Sequence, residues 1–374
     1  MTEYIFKAPT PYYVIDERLL IKNLEILKSV KERAPVKILL AQKAFSCHYF
    51  YPLIAEYLDG TAASGLFEAR LGREKMGGEN HIFSPAYRPE EFDGICRVSD
   101  HIIMNSFGQL EKYAPLVKKS GKQAWLRINP EISTQDKAIY DPCAPFSRLG
   151  VRASEFEKNA DLLKYVDGFH FHTLCEQNAD ALEITLKEVE KNFLRYFKHI
   201  RRINWGGGHH ITRADYDVEK LIFLINEFKN KYGLDIYLEP GEAVVLNAGF
   251  LVASVLDIVD NGKKIAILDT SAACHMPDVL EVPYTPRVMN EAGRYEYRLA
   301  GCTCLAGDVI GDYRFAKELR PGDKVVFEDM ALYTIVKNNT FNGINLPSIF
   351  ALSKEGKATE IKRFGYSDFF ARLG

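Results

Sequence analysis

Four short segments of this 374-residue chain end apolar runs with side chains able to do chemistry. In Ile38-Leu39-Leu40-Ala41-Gln42-Lys43-Ala44 a lysine closes a fully apolar run. Its amine is either a solvated end charge or a desolvated nucleophile able to form a Schiff base. In Gly168-Phe169-His170-Phe171-His172, strand alternation puts both histidines on one face, with His172 nearer the C-terminal end. Each is a core or surface group with its bonds satisfied, or a ring presented to a ligand. Asn204-Trp205-Gly206-Gly207-Gly208-His209-His210 closes a strand with three glycines. Successive glycines let backbone N–H groups converge on an anion such as phosphate, although a plain turn also uses glycine. His209 and His210 either line that turn or open the next helix. The fourth segment, Leu238-Glu239-Pro240-Gly241-Glu242, ends a strand with a carboxylate.

The elements that must position these groups form a repeat. Strand-like runs at Val36 to Ala41, Thr61 to Ala63, His81 to Ser84, His101 to Met104, Ala124 to Ile128, Val166 to His172, Ile203 to Trp205 and Ile236 to Glu239 alternate with helical periods. Examples of the latter are Leu20, Leu24 and Leu27 behind a cap at Asp16, and Leu182, Leu186, Val189 and Phe193. Eight such units over about 230 residues match a (β/α)8 barrel, whose functional side chains gather at the C-terminal strand ends. After Gly241 the texture changes. Val244 to Ile258, Lys264 to Leu268, Tyr295 to Ala300, Lys324 to Phe327 and Leu332 to Val336 read as strands broken by Asn-Gly, Pro-Gly and Gly-Asp turns. The expected division is an α/β barrel over 16–245 and a β-rich sandwich or barrel domain over 246–374, completed by residues 1–15 through the run at Tyr12 to Ile15.

Composition narrows the partners. With 48 basic and 50 acidic side chains the net charge is −2, and no basic run points to nucleic acid or an anionic membrane surface. Apolar residues at 47% and charged residues at 26% are those of a globular protein. The first residues lack a secretory pattern and no long apolar stretch follows, so a cytoplasmic protein with a small-molecule partner is expected. Seven cysteines, an odd count without framework spacing, fit reduced thiols. Cys302 and Cys304 form the one close pair, too few ligands for structural zinc, so no metal is expected.

A strand-end lysine, a histidine able to stack, a triple-glycine turn and a strand-end acid are the parts that a pyridoxal phosphate site needs. Those parts recur in order with Leu126-Arg127-Ile128, Phe146-Ser147-Arg148-Leu149-Gly150, Gly301 to Asp308, and Tyr333 with Phe341-Asn342-Gly343. On these motifs the chain resembles the fold type III pyridoxal phosphate decarboxylases, which include ornithine and diaminopimelate decarboxylases. Within that family it resembles in particular the bacterial carboxynorspermidine/carboxyspermidine decarboxylases, at Asn204 to His210, Glu239 to Val244 and Leu268 to Leu280.

The resemblance implies that Lys43 holds pyridoxal 5'-phosphate covalently until the substrate's α-amine displaces it. It implies that His172 stacks on the ring, that Gly206, Gly207, Gly208 and Tyr333 hold the phosphate, and that Arg127 lies beneath the cofactor. Glu239 would keep the pyridine nitrogen protonated. Cys304 would reach the site from a neighbouring subunit and reprotonate the product, which makes the enzyme a homodimer with shared active sites. Asp308 is placed with the substrate.

One departure points to the substrate. Where relatives carry an arginine after Glu-Pro-Gly, this chain has Glu242, a carboxylate suited to an ammonium group rather than a phosphate. Asp278, in the family's specificity region beside Asp269 and His275, follows the same logic or is a solvated loop aspartate. Leu305 stands where diaminopimelate decarboxylases place an acid. An amino-acid head with a long cationic tail is expected: carboxynorspermidine or carboxyspermidine. The alternatives are an ornithine, arginine or diaminopimelate decarboxylase, a racemase, and a non-catalytic homologue; Cys304 and Glu239 argue against the racemase.

Overall fold

In the computed structural model, which describes residues 2–135 and 140–374, the chain forms two compact units. One is Asn23–Val244; the other joins Met1–Lys22 to Val245–Gly374. After β1 (Tyr12–Asp16) comes a helix, Glu17–Arg33, at whose start the Asp16 carboxylate accepts the Arg18 N–H at 2.9 Å. Its Leu20, Leu24 and Leu27 are fully buried.

The first unit is a closed barrel of eight parallel strands: β2 (Val36–Ala41), β3 (Gly60–Ala63), β4 (Glu79–Phe83), β5 (His101–Met104), β6 (Gln123–Arg127), β7 (Gly168–His170), β8 (Arg202–Asn204) and β9 (Asp235–Leu238). β9 returns to β2 through Ile236 opposite Val36, which closes the ring. All eight runs read from the sequence are strands, with ends displaced by no more than two residues. The bonding continues past several nominal ends: Phe171 N–H donates to Asn204 O at 2.9 Å, and Glu239 N–H to Gly206 O at 2.8 Å. That continuation carries His172 and Glu239 to the barrel mouth in fixed directions. Inside, Leu39, Ala62, Ile103, Trp125 and Tyr237 form a buried cluster.

The second unit is a mixed eight-stranded sheet made of β1, β10 (Gly249–Asp260), β11 (Lys264–Leu268), β12 (Tyr295–Ala300), β13 (Val309–Phe315), β14 (Lys324–Glu328), β15 (Ser348–Leu352) and β16 (Ala358–Lys362). β1 sits within it, antiparallel to β10 and parallel to β15. Two expectations differ from what is found. Val244 to Ile258 is not one strand: Glu242–Val245 is a helical turn, Asn247 takes φ +56°, and the strand starts at Gly249. Leu332 to Val336 is a turn, in which Tyr333 has φ +54° and Lys337 N–H donates to Thr334 O at 3.2 Å. Among the described residues no helix is long and apolar enough to cross a membrane.

Candidate active site

At the barrel mouth the turn after β2 folds Ala44 N–H back to Ala41 O at 3.2 Å and presents Lys43. Its Nζ lies 3.3 Å from His172 Nε2. The amine is open to solvent on the mouth side yet crowded by protein on the others. Burial lowers it from the usual lysine range; Glu239 and Glu242 oppose that shift, and Arg127 adds to it. The His172 ring is anchored at Nδ1, 3.0 Å from Gly207 N and 3.1 Å from Gly207 O. Burial, with the charges of Lys43 and Arg127, holds this imidazole well below the usual histidine range.

The floor of the site is Glu239. Its Oε1 accepts from Asn204 Nδ2 at 2.6 Å, and its Oε2 lies 3.3 Å from His170 Nε2. Burial alone would push this carboxyl up, but His170, His81 and Asn204 outweigh it and keep it ionised, far below the usual carboxylate range. Arg127 is buried, donates to His172 O at 3.1 Å, and lays its guanidinium 4.4 Å from the centre of the Phe83 ring. Burial pushes it down to about 10.

The three glycines pass where no side chain fits. A Cβ on Gly206 (φ +72°) would meet Phe171 O at 2.5 Å, and one on Gly207 would meet Glu239 O at 2.5 Å. Gly206 N–H donates to Asn204 Oδ1 at 2.8 Å, whereas the N–H groups of Gly208 and His209 have no acceptor among the described residues. This turn follows the seventh barrel strand, a place where barrels of this kind hold phosphates. A largely buried, ionised carboxylate, an accessible amine beside an imidazole, and a glycine turn with unspent main-chain donors therefore fit pyridoxal phosphate.

Lys43, Arg127, His172, Gly206 to Gly208, Glu239 and Glu242 thus come together in the barrel unit. The sheet unit carries the rest. Cys304 is exposed, and its N–H donates to Asn342 Oδ1 at 2.7 Å. Asp308 is buried and spends both oxygens internally, on Ala272 N–H at 2.7 Å and the Thr303 hydroxyl at 2.6 Å. Asp278 and Glu281 both pair with Lys337. Tyr333 stands half-buried in its left-handed turn. His275 is buried between Thr270 Oγ1 and Asn345 O, and Asp269 accepts from Ser254 N–H. His209 turns its Nε2 to Trp205 O, and His210 sets its Nδ1 near Arg213.

Sequence reading missed three groups, Asn204, Glu68 and Cys175, and left His170 open between a core histidine and a ring presented to a ligand. Asn204 holds both Glu239 and Gly206. His170 reaches Glu239, and Glu68 and Cys175 both act on the Lys43 charge. Nothing in the sequence around Glu68 or Cys175 marks them.

A family model described as pyridoxal-dependent decarboxylase, C-terminal sheet domain, matches residues 12–331. The carboxynorspermidine/carboxyspermidine decarboxylase of Campylobacter jejuni is 46% identical over 98% of this chain and 99% of its own length. The carboxyaminopropylagmatine decarboxylase of Synechocystis is 41% identical over 98% of this chain and 96% of its own. Among solved structures, the C. jejuni carboxynorspermidine decarboxylase complexed with norspermidine superimposes with a TM-score of 0.91 at 45% identity, covering 98% of this chain and all of that one.

Proposed function

The chain belongs to the pyridoxal-dependent decarboxylases, and from that premise we propose that it is a carboxy-lyase converting carboxynorspermidine or carboxyspermidine to norspermidine or spermidine in polyamine biosynthesis. The observation that carries the substrate is the 46% identity over nearly the whole chain to a carboxynorspermidine/carboxyspermidine decarboxylase, and Glu242, in the helical turn that follows Glu239-Pro240-Gly241, fits it. Glu242 supplies an anionic wall for a tail of ammonium groups, next to the amine where the amino-acid head reacts.

Pyridoxal phosphate, when bound, supplies the electron sink for the pair left behind as CO2 departs. Lys43 is the residue that would hold it through the amine, and burial, by weakening that amine's hold on a proton, raises the share present as the free nucleophile. Glu239, ionised and fixed by Asn204, holds a proton on the ring nitrogen. The glycine turn and Tyr333 would hold the phosphate and His172 would meet the ring, while Arg127 steadies His172 by donating to its carbonyl. Cys304 of a second subunit would return the proton to the α-carbon and Asp278 would meet the substrate from the sheet unit, whereas Asp308, its oxygens spent on Ala272 and Thr303, holds the loop that carries Cys304 in shape. That arrangement makes the enzyme a homodimer with shared sites. All seven cysteines are free, in keeping with work in a reducing cytoplasm.

The reading is tested by product: the purified, pyridoxal-phosphate-loaded chain should release CO2 and norspermidine from carboxynorspermidine. Mixing inactive Lys43→Ala and Cys304→Ala proteins should restore about a quarter of parental activity, the statistical yield when one site of a hybrid dimer is intact. Hybrid dimers without any activity would contradict the shared site.

A further inference from the structure

Beneath Glu239 the barrel interior holds two histidines that the reaction does not call on. His81 and His101 lie directly opposite each other on β4 and β5, and both are buried. Burying two imidazoles where aliphatic side chains would pack is costly unless every polar atom is matched. Here the matching is ordered. His81 Nε2 faces His101 Nδ1 at 2.5 Å, so one hydrogen lies between the two rings. Burial and the neighbouring His81 push His101 down to about 2, so it is neutral. Asn204 Oδ1 accepts from Gly206 N–H, so its Nδ2 is the donor that faces His81 Nδ1 at 3.4 Å; Nδ1 is therefore the acceptor, the His81 hydrogen sits on Nε2, and His101 Nδ1 accepts it. The Asn204 amide then uses both hydrogens, one on Glu239 Oε1 at 2.6 Å and one on His81, while its Oδ1 takes Gly206 N–H at 2.8 Å. Trp125 and Tyr237 wedge the two rings: the Trp125 ring stacks on His101 at 5.0 Å, and Tyr237 tilts against His81 at 4.9 Å.

We propose that His81, seated on His101, is a positioning residue that locks the Asn204 amide and through it sets both the Glu239 carboxylate and the glycine turn. The inference rests on the reading that Glu239 faces the cofactor ring nitrogen. The contact is indirect, so its loss should disturb how the cofactor is held and how fast the bound complex reacts more than how substrate binds.

The experiment compares His81→Phe and His81→Asn with the parent, each titrated with pyridoxal phosphate. His81→Phe keeps a ring between Trp125 and Tyr237 but removes the acceptor. It should weaken cofactor binding about fivefold or more, shift the visible absorbance maximum of the bound cofactor, and lower kcat about tenfold with KM changed less than twofold. His81→Asn, which returns an acceptor near the Nδ1 position, should recover to within about threefold of the parent. A His81→Phe protein with parental spectrum, cofactor affinity and kcat but a lower Tm would overturn the proposal, because the ring would then only pack. So would one equivalent of zinc in the purified chain whose removal changes activity, since Glu79, His81 and His101 offer ligand atoms within 4.8 Å of one another. Should His81→Phe not fold, His101→Phe carries the same test: the same direction of change supports the lock, and no change overturns it. Glu239→Gln separates the two levels. If its spectrum shifts while that of His81→Phe does not, this inference alone falls; if neither shifts, the role of Glu239 falls.

Discussion

Lys43 and His172, 129 residues apart in sequence, meet at 3.3 Å across the barrel mouth. Burial, joined by the Lys43 charge, holds the His172 imidazole well below the usual histidine range, because a second cation at that distance in a crowded site would be repelled. The contact keeps the amine aimed over the floor formed by Glu239.

Lys43→Ala should therefore abolish both turnover and the visible absorbance of bound pyridoxal phosphate, while leaving the fold intact. Absorbance spectra of the reconstituted variant beside a CO2 assay make the check. A variant that decarboxylates at the parental rate would remove Lys43 from the chemistry.

Asn204→Leu should cost more than its size suggests. It strips a hydrogen bond from the ionised Glu239 and another from Gly206, each worth about 1.5–3 and 0.5–1.5 kcal/mol respectively in general terms. A fall in kcat of roughly 100-fold, with weaker cofactor retention on gel filtration, is expected. Unchanged retention would mean that the glycine turn holds its shape without Asn204.

Glu242→Gln should penalise long polycationic substrates selectively. One charged hydrogen bond of about 1.5–3 kcal/mol corresponds to a loss of about 10- to 100-fold in kcat/KM for carboxynorspermidine. A short diamino acid such as ornithine should lose little. Equal losses for both would show that Glu242 does not meet the tail.

Much of this was legible in the sequence, and the limits have physical reasons. The barrel strands announce themselves because strands covered on both faces are apolar runs, as in Val36–Ala41, and the special residues sit at their ends. Lys43, His172, Glu239 and the glycines are visible for that reason. In the sheet unit the signal weakens. β13 carries Gly311 at a half-buried position and Asp312 at an exposed one and does not read as a strand, while Leu332 to Val336 has strand-like composition but is bent by the left-handed Tyr333. Asn204 and His81 stayed silent because a buried polar side chain reveals its role only through partners brought in by other strands. Asp278 shows the same limit, since its Lys337 partner lies 59 residues away.

Stability should fall on acidification. Burial lowers His209, His210 and His275 to about 4, against about 6.5 in an unfolded chain. Between those values the unfolded chain binds the extra protons, so the stabilisation is complete above about pH 6.5 and is lost as pH drops toward 4. Each histidine contributes at most about 1.4 kcal/mol per pH unit in that window. Tm measured from pH 7 to 4.5 should decline, and His275→Gln should flatten the slope; a Tm that is level or rises would contradict the buried neutral state of these rings.

The central claim is that this site decarboxylates an amino acid bearing a long cationic tail. The direct measurement is kcat/KM for CO2 release from carboxynorspermidine, carboxyspermidine, carboxyaminopropylagmatine, ornithine, arginine and diaminopimelate. Carboxynorspermidine or carboxyspermidine should exceed the three amino acids by orders of magnitude. Preference for ornithine or diaminopimelate would contradict the reading of Glu242, and preference for carboxyaminopropylagmatine would move the substrate to that of the Synechocystis relative.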